Sequence, residues 1–199
     1  MQLPVLGLLK EYIPVPKTFH SFATGKPFDG CVVCGKHLRE NGTQYVIEKA
    51  VKKYPGFGVQ DVIYEYAMCI GCCMRMRETL SGESLVVIDR YFENRVNLVE
   101  RRRRMLQTDG LNVEAWLSQC LLTGTPQDDL AEYQLYAHCD GPDLLFSYLP
   151  YMISARALSD LSDLISAETK DVLDDFIDEH FGLPPELKQL LKTRKSVLL

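Results

Sequence analysis

Four cysteines in two CxxC pairs, Cys31/Cys34 and Cys69/Cys72, are the residues of this chain whose type and spacing can do defined chemistry. Thiols with two residues between them can bite one ion, and four thiolates together make a tetrahedral cage suited to Zn2+. The stretch between the pairs, Gly35 to Met68, is 34 residues long, enough for a β-hairpin and little more, so both pairs can converge on a single ion. A cage with all four positions filled by protein has none left for water or substrate, so the expected zinc is structural. Cys73 competes with Cys72 through the wider helical bite it would make with Cys69, but the usual two-residue spacing favours Cys72. Cys120 and Cys139 lie in apolar segments with no partner nearby and read as small core residues. His37, three residues after Cys34, is a further donor that four thiols make unnecessary.

The elements that must position these thiols follow from what flanks each pair. Cys34 is followed by Gly35-Lys36, a turn sequence that lets backbone amides point at thiolate sulfur, and this resembles a zinc knuckle. Cys69 and Cys72 are followed by Cys73-Met74-Arg75-Met76-Arg77-Glu78, mostly good helix formers with no Gly or Pro before Gly82, so the second pair is expected to open a helix. A helix N-terminus offers unsatisfied amides and the positive end of the macrodipole to the anionic cage. Between the pairs, Gln44 to Val51 carries the β-formers Tyr45, Val46 and Ile47. Tyr54-Pro55-Gly56-Phe57-Gly58 then supplies a turn, and Asp61 to Met68 alternates with Val62, Tyr64, Tyr66 and Met68 on one face. Knuckle, hairpin, helix over about residues 30–80 resembles the treble-clef zinc fingers. A zinc ribbon would be expected to repeat the turn glycine after its second pair, and that glycine is absent. The resemblance names a structural class and no activity.

The remainder of the chain reads as α+β. Met1 to Asp29 holds Pro4, Pro14, Pro16 and Pro27 and one apolar patch, Val5 to Leu9, and is expected to wrap over the domain. Ser84 is a candidate cap for a long amphipathic helix over 84–107, with Leu85, Ile88, Phe92, Val96, Val99 and Leu106 recurring mostly at three- and four-residue steps. A short helix is expected over Val113 to Leu122, with Trp116 as a packing anchor. Glu132 to Cys139 and Leu144 to Leu149 read as strands joined by Asp140-Gly141-Pro142-Asp143. Ser154 and Ser166 are positioned to cap helices over Ala155 to Ile165 and onward to Phe181, with Gly182 and Pro184 as stops.

The net charge of −5 divides unevenly. Residues 1–110 carry 16 Lys/Arg against 12 Asp/Glu, and residues 111–199 carry 6 against 15. The division predicts a basic zinc-binding part, 1–110, with its four-cysteine core at 30–80, and an acidic α+β part, 111–199, built as a smaller β-hairpin plus helices. The two either attract one another or reserve the basic surface for an acidic partner. Arg101 to Arg104 is a run that invites a phosphate-clamp reading, but successive helical residues turn by about 100°, so the run spreads around the cylinder. Glu100 is placed to pair with Arg104. Asp171, Asp174, Asp175, Asp178 and Glu179 lie opposite Val172, Leu173, Phe176, Ile177 and Phe181, which is most simply a solvated helix face.

No run of about eighteen apolar residues occurs, and Met1 to Leu9 lacks a basic n-region, so neither a membrane span nor a secretory signal is expected. Seven cysteines, an odd number, argue against a complete disulfide framework, and the reading places the chain in the reducing cytoplasm. No catalytic residue is assigned. The Walker lysine loop, the dinucleotide glycine fingerprint, the GxSxG elbow and the HExxH helix are all missing. Gly35 to Leu80 holds only His37, against the several histidines of treble-clef nucleases. Residue type alone would allow a nucleophile from Cys139 with His138 or His180. The reading that results is a zinc-stabilised, non-enzymatic protein-interaction or regulatory protein whose partner is another protein. The alternative is a nucleic-acid binder using Lys52, Lys53, Arg75, Arg77 and the arginine run, with Tyr45, Tyr54, Phe57 and Tyr64 for stacking. The overall negative charge opposes it.

Overall fold

The computed structural model describes residues 11–54 and 56–181. Its centre is a six-stranded sheet formed by β1 (Tyr12–Pro14), β2 (Gln44–Tyr54), β3 (Val59–Cys69), β4 (Glu132–Asp140), β5 (Asp143–Leu145) and β6 (Tyr151–Ser154). The main path runs β1-β5-β4-β2-β3, all antiparallel, and β6 pairs with the free part of the β4 edge beside β5. β2 and β3 are the hairpin that the alternating pattern predicted, with Tyr45 opposite Cys69 at its open end. On its other side β2 pairs with β4 from Gln44↔Asp140 to Lys52↔Glu132. Strands from either side of residue 110 therefore share one sheet. Two ion pairs also cross that divide, Lys52–Glu132 at 2.9 Å and Lys53–Asp128 at 3.7 Å.

Among the described residues six α-helices accompany the sheet: α1 (Ile70–Thr79), α2 (Gly82–Glu93), α3 (Leu98–Thr108), α4 (Val113–Trp116), α5 (Ala155–Ser162) and α6 (Ala167–Phe181). The expected long helix over 84–107 is two helices. Its apolar spacing continues through the break, but Asn97 has extended backbone and its side chain accepts from the Glu100 amide at 3.0 Å, starting α3 afresh. The cap of α2 is Ser81, whose Oγ accepts from the Ser84 amide, and Ser84 is itself buried. The helix expected over Val113 to Leu122 stops after Trp116, because the chain turns at Gln119 to Pro126 into a bridged loop. The strand expected over Leu144 to Leu149 is only β5, and β6 forms after Pro150. The Ser154 and Ser166 caps are as predicted, each side chain accepting from the amide three residues on. Gly182 and Pro184, and the Val5–Leu9 patch, lie outside the described residues.

Both faces of the sheet are covered. On one, Phe176 and Phe181 of α6 pack against Tyr66, with ring centroids 5.5 and 5.6 Å away. Each such ring contributes about 2–3 kcal/mol when fully buried. That face also holds Glu48, which accepts from the Tyr64 hydroxyl at 2.9 Å and the Tyr66 hydroxyl at 2.6 Å. Burial pushes its carboxyl up to about 8 against the opposing effect of those hydrogen bonds, so it is protonated at neutral pH. On the opposite face, Lys49 donates to the carbonyls of Thr18 and His20 and pairs with Glu65 at 3.2 Å. Glu65 in turn accepts from the Phe22 amide and the Ser21 hydroxyl. The N-terminal segment is thus fastened over the sheet by a buried ion pair whose remaining hydrogen-bonding capacity is satisfied.

Candidate metal centre

Three elements bring the predicted thiols together. A tight turn from Gly30 to His37 is closed by an antiparallel bridge between those two residues, by the Cys31 amide donating to the Lys36 carbonyl at 2.9 Å, and by the Gly35 amide donating to the Cys31 carbonyl at 2.9 Å. Gly35 has φ +69°, a conformation that costs a side-chain-bearing residue about 1 kcal/mol or more. The turn is anchored to the hairpin where the Val32 amide donates to the Ala67 carbonyl at 2.9 Å. Cys69 is both the last residue of β3 and the N-cap of α1, so its side chain and that of Cys72, one turn on, face the Gly30–His37 turn.

The sulfurs of Cys31, Cys34, Cys69 and Cys72 all lie within 4.8 Å of one another. Cys34 Sγ and Cys69 Sγ are 3.8 Å apart. A regular tetrahedron of sulfurs around a metal at ~2.3 Å has edges of about 3.8 Å; the Cys34–Cys69 edge matches this, and the remaining pairs are no more than 4.8 Å apart. Its electrostatics agree. Burial raises the Cys31 thiol, but amides of Cys69, Cys34 and Val33 aimed at its sulfur outweigh this and bring it down to about 7. Burial and then the neighbouring sulfurs push the Cys72 thiol up. Four crowded thiols in this position hold their charge most readily with a cation among them.

Cys73 is outside the cluster: its Sγ points to the Met68 carbonyl at 3.6 Å, and burial pushes its thiol up to about 12. His37 is exposed and is not among the clustered donors. Arg75 is the neighbour that the sequence reading placed elsewhere. Its guanidinium donates to Cys72 Sγ at 2.9 Å, which would offset part of the negative charge of a tetrathiolate. Its position one helical turn after Cys72 is the signal that could have found it.

The arginine run is largely engaged with the protein. Arg101 donates to the carbonyls of Trp116 at 2.9 Å, Pro150 at 3.3 Å and Tyr148 at 3.3 Å, and lies over the Trp116 ring. Arg102 donates to the Phe146 carbonyl, and Glu100 pairs with Arg103 rather than Arg104. Of the candidate stacking aromatics, Tyr45 and Tyr64 are buried, while Tyr54 and Phe57 are exposed. Cys139 is wholly buried, and burial raises its thiol to about 12, far from a reactive thiolate. Among the described residues no helix is long and apolar enough to cross a membrane. No family model matches the chain, and no curated protein or solved structure matches it.

Proposed function

We propose that the protein is a zinc-stabilised, non-enzymatic protein-interaction or regulatory module whose thiols are kept reduced in the cytoplasm. The observation that carries this reading is the convergence of Cys31, Cys34, Cys69 and Cys72 within 4.8 Å, with four donors for a tetrahedral ion and no position left for substrate. The order of bridged turn, hairpin and helix around those thiols supports a treble-clef-like unit. A contact role for the hairpin is supported by its tip. Phe57 is 83 % exposed and Val59 58 %, with Tyr54 beside them, an apolar cluster that the fold does not use for its own core.

The alternative, nucleic-acid binding through residues 1–110, is weakened by the cations it would use. Arg101 and Arg102 serve backbone carbonyls, and Lys52, Lys53 and Arg77 are ion-paired. Titration of fluorescent DNA and RNA at low salt separates the two. The interaction reading expects no binding, whereas an affinity that falls steeply with ionic strength would replace it with the alternative.

A further inference from the structure

We infer that residues 118–177 are a second copy of the unit formed by residues 29–92, in which hydrogen bonds have taken the place of the metal and Cys120 is the remaining ligand position. The inference goes beyond the zinc reading and stands on backbone geometry that does not depend on it.

The two bridged turns match bond for bond. Gly30↔His37 corresponds to Gln119↔Pro126. The Cys31 amide donates to Lys36, as the Cys120 amide does to Thr125; the Gly35 amide donates to Cys31, as the Gly124 amide does to Cys120. Gly35 and Gly124 share φ +69°. Outside the turn, the Leu38 amide donates to Asp29, and the Gln127 amide to Ser118. Each turn docks on its own hairpin in the same way, Val32 to the Ala67 carbonyl and Leu121 to the Met152 carbonyl.

The strands and helices continue the match. Cys69 ends β3 and caps α1; Ser154 ends β6 and caps α5. Tyr45 lies opposite Cys69, and Tyr133 opposite Ser154. The β2–β4 ladder then places Tyr45 against Cys139 and Val51 against Tyr133, with Glu48 opposite Tyr136 midway between, so a local two-fold axis passes through that central pair. The axis reappears at the caps of α2 and α6. Leu80-Ser81-Gly82-Glu83-Ser84 corresponds to Ile165-Ser166-Ala167-Glu168-Thr169. There the bonds are reciprocal: the Ser81 amide donates to Thr169 Oγ1 at 3.1 Å, the Ser166 amide donates to Ser84 Oγ at 2.9 Å, and Ser81 Oγ meets Ser166 Oγ at 3.1 Å.

Carried onto the second unit, Cys31, Cys34, Cys69 and Cys72 fall on Cys120, Thr123, Ser154 and Ala157. The chemistry there is a metal site converted to hydrogen bonds. The Ser154 amide donates to Cys120 Sγ at 3.2 Å, as the Cys69 amide does to Cys31 Sγ at 3.4 Å. Cys120 Sγ and Ser154 Oγ are 3.4 Å apart, and Ala157 fills the fourth corner with a fully buried methyl. The position is therefore a latent tetrathiolate site for a borderline divalent cation such as Zn2+ or Co2+.

Restoring the three thiols by Thr123→Cys, Ser154→Cys and Ala157→Cys, and titrating the reduced full chain with Co2+, tests this. The thiolate charge-transfer and tetrahedral d–d absorption should gain one equivalent over the parent chain. A folded triple variant with the parent's cobalt stoichiometry overturns the inference. If the buried Ala157→Cys prevents folding, Thr123→Cys with Ser154→Cys supplies three thiols and should gain a weaker second equivalent, and no gain there overturns it as well. A parent that binds none and a variant that binds one would refute the zinc reading of the first site while leaving this inference standing.

Discussion

Glu48→Gln should make the protein more stable at pH 8 than at pH 6 relative to the parent, and the size of the effect follows from burial. The carboxyl is held between the Tyr64 and Tyr66 hydroxyls, and its pKa rises from an ordinary 4.5 to about 8. Between those values the folded state keeps a proton that the unfolded chain has released. Stability is therefore lost as pH rises through this window, at about 1.4 kcal/mol per pH unit. Relative to strongly acidic solution the cost is about 2 kcal/mol at pH 6 and about 4 kcal/mol at pH 8, and it changes little above that. Glutamine has nearly the same volume and, like the protonated acid, offers one acceptor oxygen and a donor, with Tyr66 able to turn its hydroxyl to accept. Urea denaturation of parent and variant at half-unit steps from pH 6 to 8.5 reads the difference, in which contributions common to both proteins, the thiols included, cancel. The stability gap should widen by about 2 kcal/mol between pH 6 and pH 8 in favour of the variant. A gap constant with pH would refute the reasoning, since it would mean that Glu48 titrates alike in the folded and unfolded chains.

Further outcomes follow from other contacts. Arg101→Lys should cost about 2–3 kcal/mol by thermal or chemical denaturation, because an ammonium cannot span the Trp116, Pro150 and Tyr148 carbonyls or stack on the indole. Phe57→Ser should change stability by less than about 0.5 kcal/mol, since the ring is 83 % exposed. Cys73→Ser should leave metal content unchanged where Cys72→Ser lowers it, as measured on the reduced purified proteins. Removal of metal by a chelator should unfold the β4 region together with the β2–β3 hairpin in one transition, read by hydrogen exchange, because β2 is hydrogen-bonded to both β3 and β4.

The hairpin, the helix after Cys69 and the four-thiol cluster were legible because each rests on local signals: alternation, a turn sequence, and paired thiols with two residues between them. The single helix over 84–107 was a misreading because hydrophobic spacing carries through Asn94 to Asn97, where the side chain of Asn97 supplies a cap that periodicity does not see. The shared sheet was hidden for another reason. The charge division near residue 110 is real in the sequence, but register between β2 and β4 is set by long-range pairing that composition does not encode. The repeated unit left almost no trace, since three of the four ligand positions changed type. What survives in residues is a cysteine with a glycine four positions on, and a Ser-x-Glu-Ser/Thr helix start, each too short to signal on its own. Arg75 escaped although its place one turn after Cys72 on the expected helix carries the signal, because a basic residue there reads equally as a phosphate contact.

The central claim is that Cys31, Cys34, Cys69 and Cys72 hold one zinc ion, and elemental analysis of protein purified without added metal tests it most directly. One equivalent of zinc per chain is expected, lost on Cys31→Ser or Cys69→Ser. Less than about half an equivalent in the parent, with no further loss in either variant, would contradict it.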